Sequence, residues 1–257
     1  MSTKFIILGS GSSMGVPRAD GFFGKCDSRN KKNYRTRCSA IIKFNEQNIL
    51  IDTSPDLRQQ LLQNKIKSIN KVFFTHLHAD QTHGINDLRT FFLINNKQIP
   101  IFADKKTGKY LYKTFKYCFK SSFAYPSILK INDLKEKHTF KNKNKKILIE
   151  SFNVKHGKID SLCYIINNKL AYASDINLFY KKDLIKLIGL KYLIIDCLRY
   201  KEHSSHFNLN QVLELVRILK PKKTILTNMH TDLDYLILKK SLPKNIIPGY
   251  DGLTVNL

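Results

Sequence analysis

Short apolar runs rich in β-branched residues recur along the chain, and each predicts a β-strand. They cover residues 5–8, 40–44, 49–51, 72–74, 99–102, 147–154, 162–166, 170–173, 192–195, 224–226 and 253–255. Between them, apolar positions with helical spacing predict helices over residues 56–64, 107–119, 180–188, 209–219 and 233–241. Early strands followed by alternating strands and helices predict an α/β protein with two sheets covered by helices.

The chain shows no internal repeat and no long low-complexity linker, so we predict one domain over residues 1–257. The most polar stretch, residues 135–146, is interpreted as the solvated turn of a hairpin. No apolar run approaches the ~18 residues of a membrane-spanning helix, and residues 5–8 are shorter than the ~7-residue minimum of a signal-peptide core. We therefore expect a cytoplasmic protein with no membrane partner.

The formal net charge of +24 is compatible with nucleic acid, an anionic substrate or membrane headgroups as partners. Lysine outnumbers arginine 36 to 8 and is spread along the chain, whereas phosphate recognition favours the bidentate guanidinium. Many Asn and Ile accompany the lysines, which favours a compositional bias as the origin of the charge. Nucleic acid stays open as a partner, as does a homodimer.

Two further features bear on possible chemistry. The five cysteines are odd in number and include no C-x-x-C pair, which is typical of reduced thiols rather than of a redox site. Gly9, Gly11 and Gly15 follow the first predicted strand without the G-x-G-x-x-G spacing of a dinucleotide site. We interpret them as a turn whose backbone comes close to another part of the molecule, such as the active site.

The segment Val72-Phe-Phe-Thr-His76-Leu-His78-Ala-Asp80 carries the clearest chemical signal. A strand that ends in H-x-H-x-D places two imidazoles and a carboxylate in one loop at the edge of a sheet. Nitrogen and oxygen ligands at this spacing are typical of a site for a divalent metal ion.

This segment resembles the H-x-H-x-D-H signature of the metallo-β-lactamase superfamily. The resemblance extends over nearly the whole chain, to the branch that contains PhnP-type phosphoribosyl cyclic phosphate phosphodiesterases and, more distantly, ribonuclease Z. It is carried by Gly9-Ser-Gly11, Arg35-Thr-Arg37-Cys38-Ser39, Ile49-Leu-Ile-Asp52-Thr-Ser-Pro55, Ala173-Ser174-Asp175, Ile195-Asp196-Cys197, Ile225-Leu-Thr227 and Tyr250-Asp251-Gly252-Leu253.

The resemblance implies an αββα sandwich of two mixed β-sheets flanked by helices, with metal at the edge of both sheets. By position, His76, His78 and His156 would hold the first ion, and Asp175 would bridge to a second that Asp80 also binds.

The same resemblance suggests roles for residues outside the metal site. His206 matches a catalytic histidine. Asp196 would orient a histidine without itself contacting the metal or the substrate. Arg35 and Arg37 are candidate contacts to a substrate phosphate.

Two departures concern the second ion. The family places one histidine directly after the Asp of the H-x-H-x-D motif and another directly after the Leu-Thr pair at residues 226–227. This chain has Gln81 and Asn228 at those positions. His83 and His230 lie two residues farther on in each case. We expect a second site that is weakened, absent or altered toward Mg²⁺ or Mn²⁺, because amide oxygens suit harder ions better than zinc.

A third departure concerns a structural zinc knuckle near the N-terminus of those phosphodiesterases. Only Cys26 remains of its cysteines in this chain, so we expect no structural zinc.

These residues predict a metal-dependent hydrolase, with Zn²⁺ as the expected ion. The expected reaction is attack of a metal-activated water on a small cyclic phosphate or nucleotide-like phosphodiester, with Asp80 and His206 as catalytic groups. Two alternatives stay open. One is hydrolysis of a thioester or carboxylic ester by the same activated water, and the other is a nucleic-acid-binding or RNA-processing relative.

Overall fold

A computed structural model describes residues 3–123 and 125–257 of the chain, and these residues form two seven-stranded sheets. The strands are β1 (Lys4–Gly9), β2 (Ser39–Phe44), β3 (Gln47–Ile51), β4 (Lys71–Phe73), β5 (Ile99–Ala103), β6 (Leu129–Asp133), β7 (Lys137–Asn142), β8 (Lys145–His156), β9 (Ile159–Ile166), β10 (Leu170–Ala173), β11 (Tyr192–Asp196), β12 (Lys223–Thr227), β13 (Ile246–Pro248) and β14 (Thr254–Asn256).

Both sheets are mixed. The first has the order β14-β1-β2-β3-β4-β5-β6, with antiparallel pairing as far as β3 and parallel pairing from β3 to β6. The second has the order β13-β12-β11-β10-β9-β8-β7, parallel from β13 to β10 and antiparallel beyond.

The helices lie outside the two sheets. They are α1 (Leu57–Gln63), α2 (Ala79–Thr82), α3 (Arg89–Asn95), α4 (Lys105–Thr114), α5 (Lys116–Phe119), α6 (Leu209–Leu219) and α7 (Tyr235–Ser241). Apolar side chains form three buried layers. One joins the two sheets, one lies between the first sheet and α1, α3, α4 and α5, and one lies between the second sheet and α6 and α7. This confirms the predicted αββα sandwich.

The topology brings strand ends of both sheets to one edge. Parallel strands point their carboxyl ends the same way, and ligands of α/β proteins usually bind there. Asp52 follows β3, Thr75 and His76 follow β4 closely, and Asp175 follows β10 closely. The hydroxyl of Tyr164 on β9 donates a hydrogen bond of 2.5 Å to the carbonyl of Phe74, which ties the loop after β4 to the opposite sheet.

Several predicted elements differ from the structure. Residues 180–188 do not form an α-helix, because the segment Lys181–Leu187 is a 3₁₀ helix. The stretch 135–146 is largely strand, since β7 occupies Lys137–Asn142 and pairs with β8. Its alternating exposure lets lysines face solvent on one side only. The strands β6 and β13 and the helix α2 carry no apolar run that would predict them, and α3 was not predicted although its residues 91–94 are apolar.

Within the described residues, no helix is both long and apolar enough to cross a membrane. All five cysteines are buried and free. Cys26 donates a hydrogen bond of 3.2 Å to the carbonyl of Thr231, and this contact joins an N-terminal loop to the segment after β12.

Candidate active site

Three histidines from both sheets converge at the shared edge. His76 and His78 belong to the loop after β4, and His156 ends β8. Nε2 of His76 lies 3.0 Å from Nδ1 of His78, and Nε2 of His156 lies 3.3 Å from the same atom. One ring nitrogen of each residue therefore points at a common space.

The other ring nitrogen of two of these histidines is held by a hydrogen bond. Nδ1 of His156 donates to the carbonyl of Ser205 over 2.7 Å. Nδ1 of His76 lies 3.0 Å from the hydroxyl of Thr75, which in turn donates to Asp52 over 2.9 Å. A proton fixed on Nδ1 leaves the Nε2 lone pair free, which is the arrangement that metal-binding histidines use.

The three nitrogens fit a divalent ion in distance and in charge. A tetrahedral zinc site with Zn–N of about 2.0–2.1 Å separates neighbouring nitrogens by about 3.3 Å. Burial lowers the pKa of His76 to about 3 and also lowers those of His78 and His156, so all three imidazoles are neutral. Neutral imidazoles that face each other at this distance repel through their lone pairs, and a cation between them relieves this.

Asp52, to which the sequence analysis gave no role, lies behind His76 and contacts it through Thr75. It is fully buried, has φ of 61°, and accepts hydrogen bonds from the backbone amide and the hydroxyl of Thr75.

Asp52→Ala is expected to weaken zinc binding about 10- to 100-fold, because His76 loses the hydrogen-bonded chain that orients it. Competition against a chromophoric chelator measures this. Asp133→Ala, at an exposed acid on β6, is the control, and equal affinity in all three proteins would contradict the role.

Asp175, at the end of β10, lies beside the histidines and belongs to a second group of possible ligand atoms with His156 and His206. It is buried, and although burial alone would raise its pKa, its polar surroundings, among them the charged His206, lower it, so the carboxylate is charged. Within the described chain, Asp80 belongs to neither group of ligand atoms that lie within 4.8 Å of one another.

Two buried amides occupy the space next to Asp175. Nε2 of Gln81 donates to Asp175 over 3.1 Å and to Asp80 over 3.2 Å. Nδ2 of Asn228 donates to Asp175 over 3.3 Å and to the carbonyl of Ser174 over 2.8 Å. Amide N–H groups thus bridge the two carboxylates, whereas Oε1 of Gln81 has no hydrogen-bond partner in the part of the chain that the structure describes.

His206 lies against the other side of His156, with ring centroids 4.7 Å apart. Its Nδ1 lies 2.6 Å from the fully buried carboxylate of Asp196. Burial alone would lower the pKa of His206, but the Asp196 carboxylate and its hydrogen bond raise it to about 9. Burial raises the pKa of Asp196 to about 7, while the charge of His206 and its hydrogen bond act in the opposite direction.

The two arginines predicted to bind phosphate have different surroundings. Arg35 is 1% exposed, and its guanidinium donates to the carbonyl of Leu233 over 2.7 Å and to Asn33 over 3.2 Å. It joins two loops and is closed off from solvent, although its Nε has no hydrogen-bond partner among the described residues. Arg37 is partly exposed and forms a two-point ion pair with Asp56 over 2.7 and 2.8 Å.

His83 and His230 point away from the three-histidine cluster. The ring of His83 packs edge-on against Phe115 at 5.3 Å, and Nδ1 of His230 lies 2.8 Å from Asp232. Neither belongs to a group of converging ligand atoms among the described residues.

The glycine-rich turn after β1 lies near this site, as the sequence suggested. A Cβ added to Gly9 would lie 2.0 Å from the carbonyl oxygen of Arg37, and one added to Gly11 would lie 2.6 Å from that of Arg35. The backbone amide of Met229, the residue after Asn228, donates a hydrogen bond of 3.0 Å to the carbonyl of Ser10. Glycine is required because backbone meets backbone here.

Comparison with known proteins supports the resemblance read from the motifs. A family model described as a beta-lactamase superfamily domain matches residues 47–229. The chain is similar to a crystal structure titled as a new diphosphatase from the PhnP family, with 29% identity and a TM-score of 0.88 over 100% of this chain and 98% of that one.

Two curated relatives are longer proteins. An octanoyltransferase of Porphyromonas gingivalis is 32% identical over 256 residues, which are 97% of this chain and 51% of that protein. A ribonuclease Z of Prochlorococcus marinus is 27% identical over 125 residues, which are 47% of this chain and 39% of that protein. The chain thus spans about half, or less, of the length of the curated relatives it matches.

Proposed function

The chain belongs to the beta-lactamase superfamily, a fold of metal-dependent hydrolases, and from that premise we propose that it cleaves a small organic phosphate. The phosphate is a diester or a phosphoanhydride. The observation that carries the proposal is the convergence of three neutral imidazole nitrogens within 4.8 Å, beside the charged groups Asp175 and His206. The similarity to a PhnP-family diphosphatase favours phosphate over other electrophiles.

His76, His78 and His156, with Asp175 beside them, would hold the divalent ion. Three imidazoles and one carboxylate favour zinc, since nitrogen donors select it over Mg²⁺. When bound, the ion polarises the scissile phosphoryl group and makes water a stronger nucleophile at neutral pH.

The remaining charged groups handle protons and charge. Burial and the neighbouring Asp175 raise the pKa of Asp80 to about 6, so this carboxylate can orient the attacking water and accept its proton near neutral pH. His206, held by Asp196, carries a proton for the leaving-group oxygen or stabilises the phosphoryl oxygens.

We further propose a single tight ion per chain. Gln81 and Asn228 direct N–H donors at Asp80 and Asp175, and these donors offset the carboxylate charge that a second cation would otherwise neutralise. An N–H group cannot ligate a cation. The expected alteration toward Mg²⁺ or Mn²⁺ would require the amide oxygens to turn toward the carboxylates, away from these hydrogen bonds.

Restoring both histidines tests this interpretation. The variant Gln81→His with Asn228→His is expected to gain a second tight zinc, whereas either change alone gains little because one new imidazole leaves the ion short of ligands. Calorimetric zinc titration of the four proteins measures it. Two equally tight sites in the unmodified chain would contradict the single-ion proposal.

A substrate panel tests the proposed function. Bis(4-nitrophenyl) phosphate, a nucleoside 2′,3′-cyclic phosphate and a nucleoside diphosphate are incubated with the zinc-loaded chain beside an octanoyl thioester. Hydrolysis of a phosphate, absent after chelation, supports the proposal. Turnover of the thioester alone would overturn the choice of phosphate.

An acyl substrate is the second candidate, favoured by the octanoyltransferase relative. That name belongs to a protein of which this chain matches 51%, so the transferase activity can lie in the other part. The same activated water would cleave a thioester, and the octanoyl thioester in the panel separates the two.

Nucleic acid stays as an alternative substrate because of the ribonuclease Z relative and the surface of α4. Four exposed lysines of this helix, Lys105, Lys106, Lys109 and Lys113, fall within about 100° of its circumference. Steeply salt-dependent RNA binding, with or without cleavage, would favour it.

A further inference from the structure

A second feature next to the candidate active site is a cavity of about 1240 Å³ beneath the glycine-rich turn. Its wall includes Met14 from that turn, Lys31, Lys32 and Tyr34 from the following loop, and Arg37 at the end nearest α1. Gly11 forms backbone bridges with Arg37 and with Met229, which follows Asn228 of the candidate site, so this end of the cavity lies close to that site.

Some of the cationic side chains that line the cavity are neutralised by ion pairs with carboxylates, and others are not. Arg37 is paired with Asp56, and Arg18 is paired with Asp20. Lys31 is exposed, and no carboxylate lies within ion-pair distance of Lys31 or Lys32 among the described residues. The cavity is therefore lined by two consecutive lysines that form no ion pair among the described residues.

Lys32 is fixed in place rather than free in solvent. Its Nζ lies 4.7 Å from the ring centre of Tyr235 and 4.4 Å from that of Tyr250, and it donates to the hydroxyl of Tyr235 over 3.3 Å. Cation–π contacts hold an ammonium group without neutralising its charge. Such a group keeps its attraction for an anion and loses little side-chain entropy on binding one.

The turn that carries the two lysines is itself rigid. Asn33, which is fully buried, donates to Asp234 over 2.6 Å and to the carbonyl of Asp27 over 3.0 Å, and it accepts from the backbone of Tyr235 over 2.8 Å. These bonds tie the lysine turn to the segment between β12 and α7. The backbone that carries the two lysines is thus held in place, and the contacts of Lys32 with the two tyrosines fix its side chain as well.

The cavity also offers apolar surface. Tyr34 is 48% exposed and Met14 is 50% exposed, and both line the cavity. The fixed ammonium group of Lys32, the exposed Lys31 and an exposed ring match a ligand that has both an anionic group and a flat apolar group.

We propose that this cavity binds the non-reacting part of the substrate, which carries a second anionic group recognised by Lys31 and Lys32 and a ring that packs against Tyr34 and Met14. The substrate class is then a nucleotide-like molecule with two phosphates, one at the metal centre and one in the cavity. This assignment rests on the proposed phosphate hydrolysis, although binding to the cavity does not require turnover.

Binding of adenosine 3′,5′-bisphosphate to the full chain, measured by calorimetry after chelation of metal, tests the cavity apart from catalysis. Lys31→Met with Lys32→Met is expected to weaken binding about tenfold or more, whereas Lys113→Met with Lys116→Met, which removes the same charge from α4 and α5, leaves it nearly unchanged. Adenosine without phosphates is expected to bind more weakly than the bisphosphate in the unmodified chain.

Equal losses in the two double variants, or equal binding of adenosine and the bisphosphate, would overturn the cavity assignment.

Since Lys32 packs between two rings, Lys31→Gln at an exposed position serves as a second variant. It is expected to weaken binding about threefold in a chain with unchanged thermal unfolding. Loss of hydrolysis in the unmodified chain with intact bisphosphate binding would refute the proposed function and leave the cavity as a binding site.

Discussion

Replacing His78 with alanine is expected to remove the bound metal and lower kcat/KM for phosphate hydrolysis on the order of 10³-fold or more. The reason is that Nδ1 of His78 lies within 3.3 Å of both other ligand nitrogens, so its loss opens the cluster on one side. A loss of this size corresponds to ~4 kcal/mol of transition-state stabilisation, which is within what a catalytic ion supplies. Metal content by mass spectrometry and the hydrolysis rate are measured on the same sample.

His83→Ala is the matched control for this variant. His83 lies in the same loop, but its ring packs against Phe115 and faces away from the cluster. It is expected to retain both metal and rate. Full activity of His78→Ala, with a normal thermal unfolding curve, would show that the three-histidine cluster is not the catalytic centre.

Replacing His206 with alanine is expected to lower kcat about 10²- to 10⁴-fold while the metal content stays unchanged. This is the usual range for loss of a general acid or base. The side chain reaches the site from the loop before α6 and is held by Asp196 over 2.6 Å, whereas the three-histidine group is complete without it. Steady-state kinetics together with metal analysis separate a chemical role from a ligand role.

Asp196→Asn is the companion variant, because it keeps the shape of the carboxyl group and removes its charge. It is expected to lower kcat less than His206→Ala, since the imidazole stays in place but holds its proton less firmly. An unaltered rate in His206→Ala would make this histidine a bystander, and loss of metal in that variant would make it a ligand.

Much of the fold follows from local patterns that the structure confirms. The predicted helix 209–219 has the same bounds in the structure because Asn208 and Gln211 form a capping box and Lys220 ends the helix in a left-handed conformation. The strand β7 was missed because it lies at the edge of its sheet and its sequence KHTFKN is polar. Edge strands need apolar residues on one face at most, so hydrophobic periodicity is a weak signal there.

In the candidate site too, local features can be predicted from the sequence, whereas contacts between distant segments cannot. The spacing of His76, His78 and Asp80 along one loop is a local feature and predicts ligands directly. The bond from His156 to the carbonyl of Ser205 and the role of Asp52 behind Thr75 depend on which loops meet in the folded chain. The burial of Arg35 also depends on which loops meet in the folded chain. A buried arginine and a phosphate-binding arginine look the same in the sequence.

We propose that one ion, held by His76, His78 and His156, makes this chain a hydrolase. The most direct test is to titrate zinc into chelated protein while following hydrolysis of the most active phosphate of the panel. We expect no turnover without metal and a rate that rises in proportion to zinc and levels off at one ion per chain. Full activity of metal-free protein, or a rate that appears only with the second ion, would contradict it.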